Sequence, residues 1–337
     1  MENEFKGRII FSENYQATID NIRLINNSAS KNATIIKALN EDVNIVLGSE
    51  IAIISGYESV TKLSIDNLKG NQGIILSSYD ESILELNSLE GKVRCVAHCC
   101  VIQTNEEYTP SAYVSLKFYT KSNIIEAKAT SFSDIIKSDD LPKAINEEYI
   151  KERAFFLSKA APESSLIFID GSMFSGAATA GNFVLVEKLL KYNCRPVFFV
   201  KNSESTIVTE NFAFAKGYNS DLHWAYTSLK VGEYSQVFSY KSPDGREKAM
   251  CFIKIFDNRS PVRVEFPLKA FEEGYYPDDV FELIYYQYLA NGSPNNVQPR
   301  IVQIAEMYAR EVLKSTNLYS EIERMGLTKS MNEARGF

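Results

Sequence analysis

The sequence has few of the residues from which zinc sites and nucleophilic hydrolase sites are built. It contains only two histidines, His98 and His223, and no CxxC pair, which argues against a zinc site. It has no GxxxxGK[ST] or GxGxxG loop, and therefore no recognisable loop for binding a nucleotide. It also has no GxSxG turn, so a serine hydrolase has little support.

The chain also lacks the features of secreted and membrane proteins. Its five cysteines are an odd number and indicate reduced thiols rather than a disulfide framework. Cys99 and Cys100 lie in a strand-like apolar run and are predicted to be small core residues. No apolar run reaches the ~18–20 residues of a membrane span, and the polar amino terminus does not resemble a signal peptide. We therefore expect a cytoplasmic protein without membrane contact.

Composition narrows the possible functions less than these absences do. Hydrophobic residues make up 45% and charged residues 23% of the 337 residues, as is usual for a soluble globular protein. The net charge of −7 argues against a surface that is generally basic and coats nucleic acid. It does not exclude a nuclease, because an acidic metal centre can lie inside a local basic groove.

The hydrophobic pattern predicts an α/β protein with a mixed sheet flanked by helices. Three antiparallel strands are followed by a helix and then by a strand–helix–strand unit that requires a parallel crossover. This order is the one expected of a ribonuclease H-like fold. The predicted strands cover residues 73–86, 92–104, 112–120, 166–170, 196–201, 249–256 and 261–266, and the predicted helices cover residues 15–39, 144–159, 182–192, 278–290 and 299–316.

The segment LIFIDGS, residues 166–172, carries the strongest local signal for a site. An apolar run that ends abruptly in a turn reads as a buried strand. Ligands of open α/β sheets bind at the carboxyl ends of the strands, so Asp170 would be a fixed carboxylate at such an end. Gly171 would relax the turn, and Ser172 could cap the segment that follows.

Three further carboxylates could converge with Asp170. Asp80 lies on the first strand of the sheet, and Glu152 has apolar residues at i−7, i−3 and i+4 on its helix. Glu306 lies on a mainly apolar face of the last helix. Hard Mg²⁺ or Mn²⁺ ions take oxygen ligands, and paired ions can clamp the attacking and leaving oxygens of a phosphodiester. These four acids are the candidate catalytic and metal-binding residues.

Each of these acids also has an ordinary structural interpretation, and for Asp170 it is an Asp-Gly step that forms only a turn. Asp80 could be an exposed strand residue, and Glu152 could form a solvated helix edge with Glu148. Glu306 could pair with Arg310 at i+4. The order of the four acids, on strand, helix, strand and final helix, favours the shared site.

Basic side chains near the predicted site are candidates for contacts to phosphate groups. Lys201 ends the strand after LIFIDGS and would lie beside Asp170 across the parallel pair. Arg259, Arg263 and Arg300 would lie on the same rim if the predicted fold is right.

Four passages resemble the NurA family of nucleases that process DNA ends. IFIDGSMF (residues 167–174) resembles the family's second aspartate motif, and FVKNSES (199–205) is similar to its strand ending in lysine. IKIFDNRSPVRVEFP (253–267) resembles its paired strands, and QPRIVQIAEMYAR (298–310) its closing helix. The resemblance spans about residues 73–316.

By this resemblance, Asp80 corresponds to the family's first aspartate, Glu152 corresponds to its helical glutamate, and Asp170 corresponds to its second aspartate. Glu306 stands where a histidine is expected, and Gln298 replaces a tyrosine before the proline. A carboxylate can ligate Mn²⁺ as an imidazole does, whereas an amide cannot act as a phenol. These substitutions are therefore compatible with an activity that is weakened, altered or lost.

The resemblance implies a ribonuclease H-like homodimer that depends on Mn²⁺ (or Mg²⁺) and degrades DNA. The implied activity is 5′→3′ exonuclease action with endonuclease action on single strands, in DNA repair and end resection or in antiviral defence. The implied partner is a hexameric HerA-type ATPase, a separate chain that would supply the missing nucleotide site. The domain limits that follow are an amino-terminal extension for dimer or motor contact (1–70), a nuclease domain (71–317) and a polar tail (318–337).

Two alternatives remain open from the sequence. The first is a catalytically weakened or inactive NurA-like subunit that binds DNA and regulates the motor, as the substituted Gln298 and Glu306 would allow. The second is an unrelated α/β hydrolase whose activity survives the loss of all four acids.

Overall fold

The computed structural model describes residues 49–68, 75–105, 107–127, 134–174, 179–243, 245–292, 295, 297–315, 317 and 320. Its strands are β1 (Glu50–Ile53), β2 (Thr61–Lys62), β3 (Ile75–Asn87), β4 (Lys92–Thr104), β5 (Glu107–Thr120), β6 (Ile135–Lys137), β7 (Ser165–Asp170), β8 (Arg195–Val200), β9 (Glu233–Tyr234), β10 (Phe238–Lys241), β11 (Glu247–Lys254) and β12 (Val262–Pro267). Its α-helices are α1 (Asn123–Glu126), α2 (Leu141–Ala160), α3 (Thr179–Lys191), α4 (Ile207–Asn211), α5 (Asp221–Ser228), α6 (Leu268–Glu272), α7 (Val280–Asn291) and α8 (Arg300–Ser315).

One mixed sheet contains all of these strands. Its main order is β1-β10-β11-β12-β8-β7-β3-β4-β5-β6, and the short pair β2 and β9 attaches through β11. The meander β3-β4-β5 is antiparallel, whereas β7 runs parallel to both β3 and β8. This arrangement confirms the predicted α/β class and the ribonuclease H-like order of strands and crossover helices.

Helices cover both faces of the sheet because β7 and its neighbours are apolar on both sides. On one face, α2 and α3 pack on alternate residues of the central strands, such as Tyr79, Ile167 and Ile169. On the opposite face, α7 and α8 pack on the residues between them, such as Leu76 and Phe168. The central strands therefore present two different surfaces, and the face on which a side chain lies decides its neighbours.

The helix α2 shows how local sequence sets an element's limits. The carboxylate of Asp140 accepts a hydrogen bond from the Lys143 N–H and caps the amino end. Pro142 lies in the first turn, where its missing N–H costs nothing, and Pro162 follows the last residues of the helix. The structure thus confirms the helix predicted over residues 144–159.

Part of the predicted amino-terminal extension belongs to the sheet. β1 pairs with β10 and β2 pairs with β9, both antiparallel. The domain limits themselves remain predictions. The helix predicted over residues 15–39 lies outside the described residues, as does the polar tail apart from Ser320.

The five cysteines are buried and free, and Cys99 and Cys100 are core residues as predicted. Within the described ranges, no helix combines the length and the apolar character that a membrane crossing requires.

Candidate active site

Asp80 and Asp170 are neighbours on adjacent parallel strands. The last paired residues of β3 and β7 are Tyr79 and Ile169, and the two aspartates directly follow them. Equivalent residues of adjacent parallel strands point to the same face, about 4.8 Å apart along the hydrogen-bonding direction. The sheet therefore brings these two carboxylates together, as the sequence predicted.

Glu306 joins them from the helix that covers this face. The helix α8 is anchored on β3, where the Ser78 hydroxyl donates a 2.7 Å hydrogen bond to the Ile301 carbonyl. Burial raises the pKa of the Asp80 carboxyl to about 8. The negative charges of Glu81, then Asp170 and Glu306, act in the same direction. Three acids from β3, β7 and α8 thus share one partly buried electrostatic environment.

A chain of polar contacts links Asp170 to Glu306. The Lys201 ammonium donates to Asp170 Oδ2 and to Gln298 Oε1, both at 2.6 Å. The amide nitrogen of Gln298 donates to Glu306 Oε2 at 2.7 Å, and Arg310 pairs with the other Glu306 oxygen. Lys201 therefore lies beside Asp170 as predicted, and the alternative pairing of Glu306 with Arg310 is also present.

Gln298 lies in the middle of this series of polar contacts, and its side chain is fully buried. Its backbone carbonyl accepts a 3.0 Å hydrogen bond from the Asn291 side chain, which fixes the turn before α8. A side-chain amide can accept from a lysine and donate to a carboxylate at once. Gln298 thus connects Lys201 with Glu306 through its side-chain amide.

The turn after Asp170 is held by backbone geometry and by a remote carboxylate. Gly171 has φ +100°, a conformation that other residues rarely adopt, and its N–H donates to Asp170 Oδ1 at 3.0 Å. The next two residues bind one oxygen of Glu265, the Ser172 hydroxyl at 3.0 Å and the Met173 N–H at 2.8 Å. These contacts fix the position of Asp170.

Glu265 is a residue of the site that sequence reasoning missed. It is fully buried on β12, where it accepts a 2.5 Å hydrogen bond from Lys248 and forms an ion pair with Arg263, whose Nε lies 2.9 Å from the carboxylate. Burial alone would raise the pKa of Glu265, but the two cations hold it below its usual value. The signal was present: Arg263 and Glu265 lie two residues apart in an apolar strand, the spacing of a same-face buried ion pair.

The expectation that Glu152 converges with the other acids is corrected by the structure. Glu152 is buried on the α2 face, 3.2 Å from the Lys117 ammonium and 3.7 Å from the His98 ring. Asp80 lies on the α8 face, and its neighbour Glu81 points the other way, accepting from Tyr149. The apolar stripe of α2 does place Glu152 against the sheet, but α2 covers the face opposite the one that carries Asp80 and Asp170.

The three arginines predicted to lie on one rim have different environments. Arg263 is buried with Glu265 and is not a rim residue. Arg259 donates to Asn295 at 2.8 Å, and exposed Arg300 donates to the Ala290 carbonyl at 3.3 Å. Their contact with DNA phosphates remains a prediction.

The carboxylates can be tested for their fit to a divalent ion. Across the described part of the chain, no three histidine, cysteine or acidic side chains already form a metal-binding group. Mg²⁺, however, is usually held by one or two carboxylates together with waters and substrate phosphates. The adjacent Asp80 and Asp170 meet that requirement, and a cation there would offset the burial and the neighbouring negative charges that raise the pKa of Asp80. The donor set fits a hard divalent ion.

Comparison with known proteins agrees with this description. A family model described as the NurA domain matches residues 93–310, which is more than half of the chain. No protein with a curated description matches the chain significantly. Among solved structures, the NurA nuclease from Sulfolobus solfataricus is similar with a TM-score of 0.50 and 14% identity, over 93% of this chain and 99% of that chain.

Two other solved structures align less well. A NurA structure with manganese aligns with a TM-score of 0.43 and 8% identity, over 89% of this chain and 97% of that chain. Endonuclease V from Ciona intestinalis, in complex with a 24mer DNA, aligns with a TM-score of 0.37 and 12% identity, over 76% of this chain and 92% of that chain. The extent of the family match decides the assignment: the chain belongs to the NurA family.

Proposed function

We propose that this protein is a nuclease that hydrolyses DNA phosphodiesters with the help of Mn²⁺ or Mg²⁺. The observation that carries the proposal is the meeting of Asp80, Asp170 and Glu306 on one face of the sheet, at the carboxyl end of β7. Ligands of α/β sheets bind at such an end. The solved relative with the same fold is described as a nuclease, which supports the reaction class.

Each residue of the site has a role in this proposal. Asp80 and Asp170 hold the ion through their carboxylate oxygens, and Glu306 supplies a further oxygen. When bound, the ion would stabilise negative charge on the phosphate and assist the attack of water on phosphorus. Lys201 would move from Asp170 to a phosphate oxygen, where a flexible ammonium serves as a point charge.

The finer parts of the function follow from family membership. We propose 5′→3′ exonuclease action on DNA ends with endonuclease action on single strands, by a homodimer that works with a hexameric HerA-type ATPase. The sequence has no nucleotide-binding loop, which is consistent with a motor on a separate chain. DNA repair, end resection and antiviral defence are the proposed settings.

A second candidate is a non-catalytic NurA-like subunit that binds DNA and regulates the motor. One observation favours it: Lys201 and Arg310 already neutralise Asp170 and Glu306 through direct ion pairs. An inactive subunit of this kind would bind DNA but would have no strong Mn²⁺ site. Calorimetry with Mn²⁺ separates the two candidates.

Cleavage of end-labelled linear DNA tests the proposal. The purified protein is compared with its Asp170→Asn variant in Mn²⁺, Mg²⁺ and EDTA. The matched control is Asp257→Asn, because Asp257 is exposed on a loop with 85% of its side-chain surface accessible. We expect metal-dependent cleavage by the parent and the control alone. Equal cleavage by Asp170→Asn would refute the assignment.

A further inference from the structure

A lysine ammonium already contacts one of the carboxylates of the proposed metal site. Lys201 Nζ lies 2.6 Å from Asp170 Oδ2. The other oxygen of that carboxylate, Oδ1, accepts a 3.0 Å hydrogen bond from the Gly171 N–H and therefore faces the backbone of the turn. Divalent ions bind carboxylate oxygens at about 2.0–2.6 Å. A divalent ion on Asp170 would therefore compete with Lys201 for Oδ2.

Both oxygens of Glu306 are engaged as well. Its Oε1 pairs with Arg310, and its Oε2 accepts a 2.7 Å hydrogen bond from the side-chain nitrogen of Gln298. The Arg310 side chain is 63% exposed, and an ion pair so open to water contributes little and separates readily. The Lys201 ammonium differs from Arg310, because it is held at a second point.

Gln298 holds Lys201 at that second point. Its Oε1 accepts a 2.6 Å hydrogen bond from Lys201 Nζ, and the buried amide cannot turn without breaking its hydrogen bond to Glu306. If Lys201 leaves Asp170, it can therefore stay on Gln298. An ammonium has three N–H donors, and its contacts within the described residues use two of them. The third donor can serve an oxygen of a ligand.

The formal charges of the site balance when a divalent ion and a singly charged anion bind together. Asp80, Asp170 and Glu306 supply three negative charges when ionised, and Lys201 and Arg310 supply two positive charges. A divalent ion alone would change the sum from one net negative charge to one net positive charge. A phosphodiester carries a single negative charge and would bring the sum to zero. The ion and the phosphate therefore favour each other's binding.

We propose that Lys201 is a built-in counter-ion of Asp170 which DNA binding releases, so that the divalent ion binds at full strength only when a DNA phosphate is present. Gln298 is the positioning residue in this exchange. It keeps the released ammonium beside the site, where a phosphate oxygen replaces the Asp170 carboxylate as its acceptor. The inference rests on the proposed function, because the phosphate belongs to the DNA strand that the nuclease would cleave.

This exchange gives the ion pair between Lys201 and Asp170 a role in an active nuclease. A non-catalytic subunit would keep Lys201 on Asp170 whether or not DNA is bound. In the proposed exchange, by contrast, the affinities for metal and DNA are linked. Because such linkage is reciprocal, Mn²⁺ must strengthen DNA binding by the same factor by which DNA strengthens Mn²⁺ binding.

Binding of Mn²⁺ with and without DNA tests the inference, and cleavage is not needed. The electron paramagnetic resonance signal of free Mn²⁺ gives its affinity for the protein alone and for the protein with a single strand whose phosphorothioate linkages resist hydrolysis. The strand alone provides the blank. Lys201→Met removes the positive charge, and Lys201→Arg keeps it. The matched control is Lys269→Met, because the Lys269 side chain is 84% exposed and lies 3.8 Å from Glu273.

Without DNA, Lys201→Met should bind Mn²⁺ at least about tenfold more tightly than the parent, since a hydrogen bond to a charged group contributes a factor of that size. The strand should strengthen Mn²⁺ binding at least about tenfold in the parent, the control and Lys201→Arg, but less than about threefold in Lys201→Met. Fluorescence anisotropy of the labelled strand should show the same factors for the effect of Mn²⁺ on DNA binding.

An Mn²⁺ affinity of Lys201→Met equal to or below that of the parent, without DNA, would overturn the inference. So would a parent affinity that the strand leaves unchanged. If Asp170→Asn nevertheless abolishes Mn²⁺ binding, the proposed metal site stands and the inference about Lys201 alone is wrong. The expected coupling in a protein that does not cleave unmodified DNA would instead count against the nuclease alone.

Discussion

Glu265→Gln is expected to destabilise the fold strongly, although residue 265 is not a proposed metal ligand. The carboxylate is fully buried, accepts hydrogen bonds from Lys248, Ser172 and the Met173 N–H, and forms an ion pair with Arg263. The neutral amide would leave two buried cations without their negative partner. Removing one partner from a buried ion pair costs about 3–5 kcal/mol. That cost is a large part of the 5–15 kcal/mol by which typical domains are stable.

Urea unfolding gives the free energy of unfolding for the parent and the variant. The control is Glu247→Gln, since Glu247 is 44% exposed and its change should stay within about 0.5 kcal/mol. A double variant that also carries Lys248→Met should recover part of the loss, because one unpaired cation is then absent. A loss below about 1 kcal/mol for Glu265→Gln would refute the account of this cluster.

Three further predictions concern the same region. Gly171→Ala should lower the free energy of unfolding by about 1–2 kcal/mol in urea melts, because φ is +100° although no atom lies within 4 Å of the added carbon; an unchanged midpoint would contradict this. Asp80→Asn should raise it by up to about 4 kcal/mol at pH 7 without divalent ions, because burial first and the neighbouring carboxylates second raise the pKa of the parent carboxyl to about 8 in the fold, against about 3.9 unfolded; a destabilised variant would contradict this account of Asp80. The pKa of Glu265 is lowered on folding, so its contribution is complete above the unfolded value of about 4.3 and is lost as the pH falls through the folded value. In urea melts at decreasing pH, the free energy of unfolding should therefore fall more steeply below about pH 4.3 for the parent than for Glu265→Gln. If this free energy falls equally with pH in both proteins, the contribution of Glu265 is excluded.

Much of the fold could be predicted because its signals are local. The apolar run ending in Asp-Gly identified β7 and its end, and the alternation of the meander identified β3, β4 and β5. The position of Lys201 beside Asp170 followed from the parallel strand–helix–strand unit and is confirmed at 2.6 Å. Where topology follows from chain order, a residue at the end of a strand can be placed from sequence.

Other features of the site depend on which face of the sheet a helix covers. The stripe of α2 shows that Glu152 points to the sheet, but the same pattern is produced by packing on either face. The pairing of β10 with β11 places Tyr240 opposite Lys248, and β10 is a strand of only four residues with a weak pattern. Gln298 also gave no local signal for its bridging role, which depends on Lys201, a residue 97 positions away. These are tertiary contacts, and their partners are distant in the chain.

Binding of Mn²⁺, followed by its electron paramagnetic resonance signal, tests the central claim most directly. The claim is that Asp80 and Asp170 form the metal site on the α8 face and that Glu152 does not contribute. The parent and Glu152→Gln should bind the ion with similar affinity, whereas Asp170→Asn should lose at least about tenfold. Loss of the site in Glu152→Gln with retention in Asp170→Asn would contradict the account.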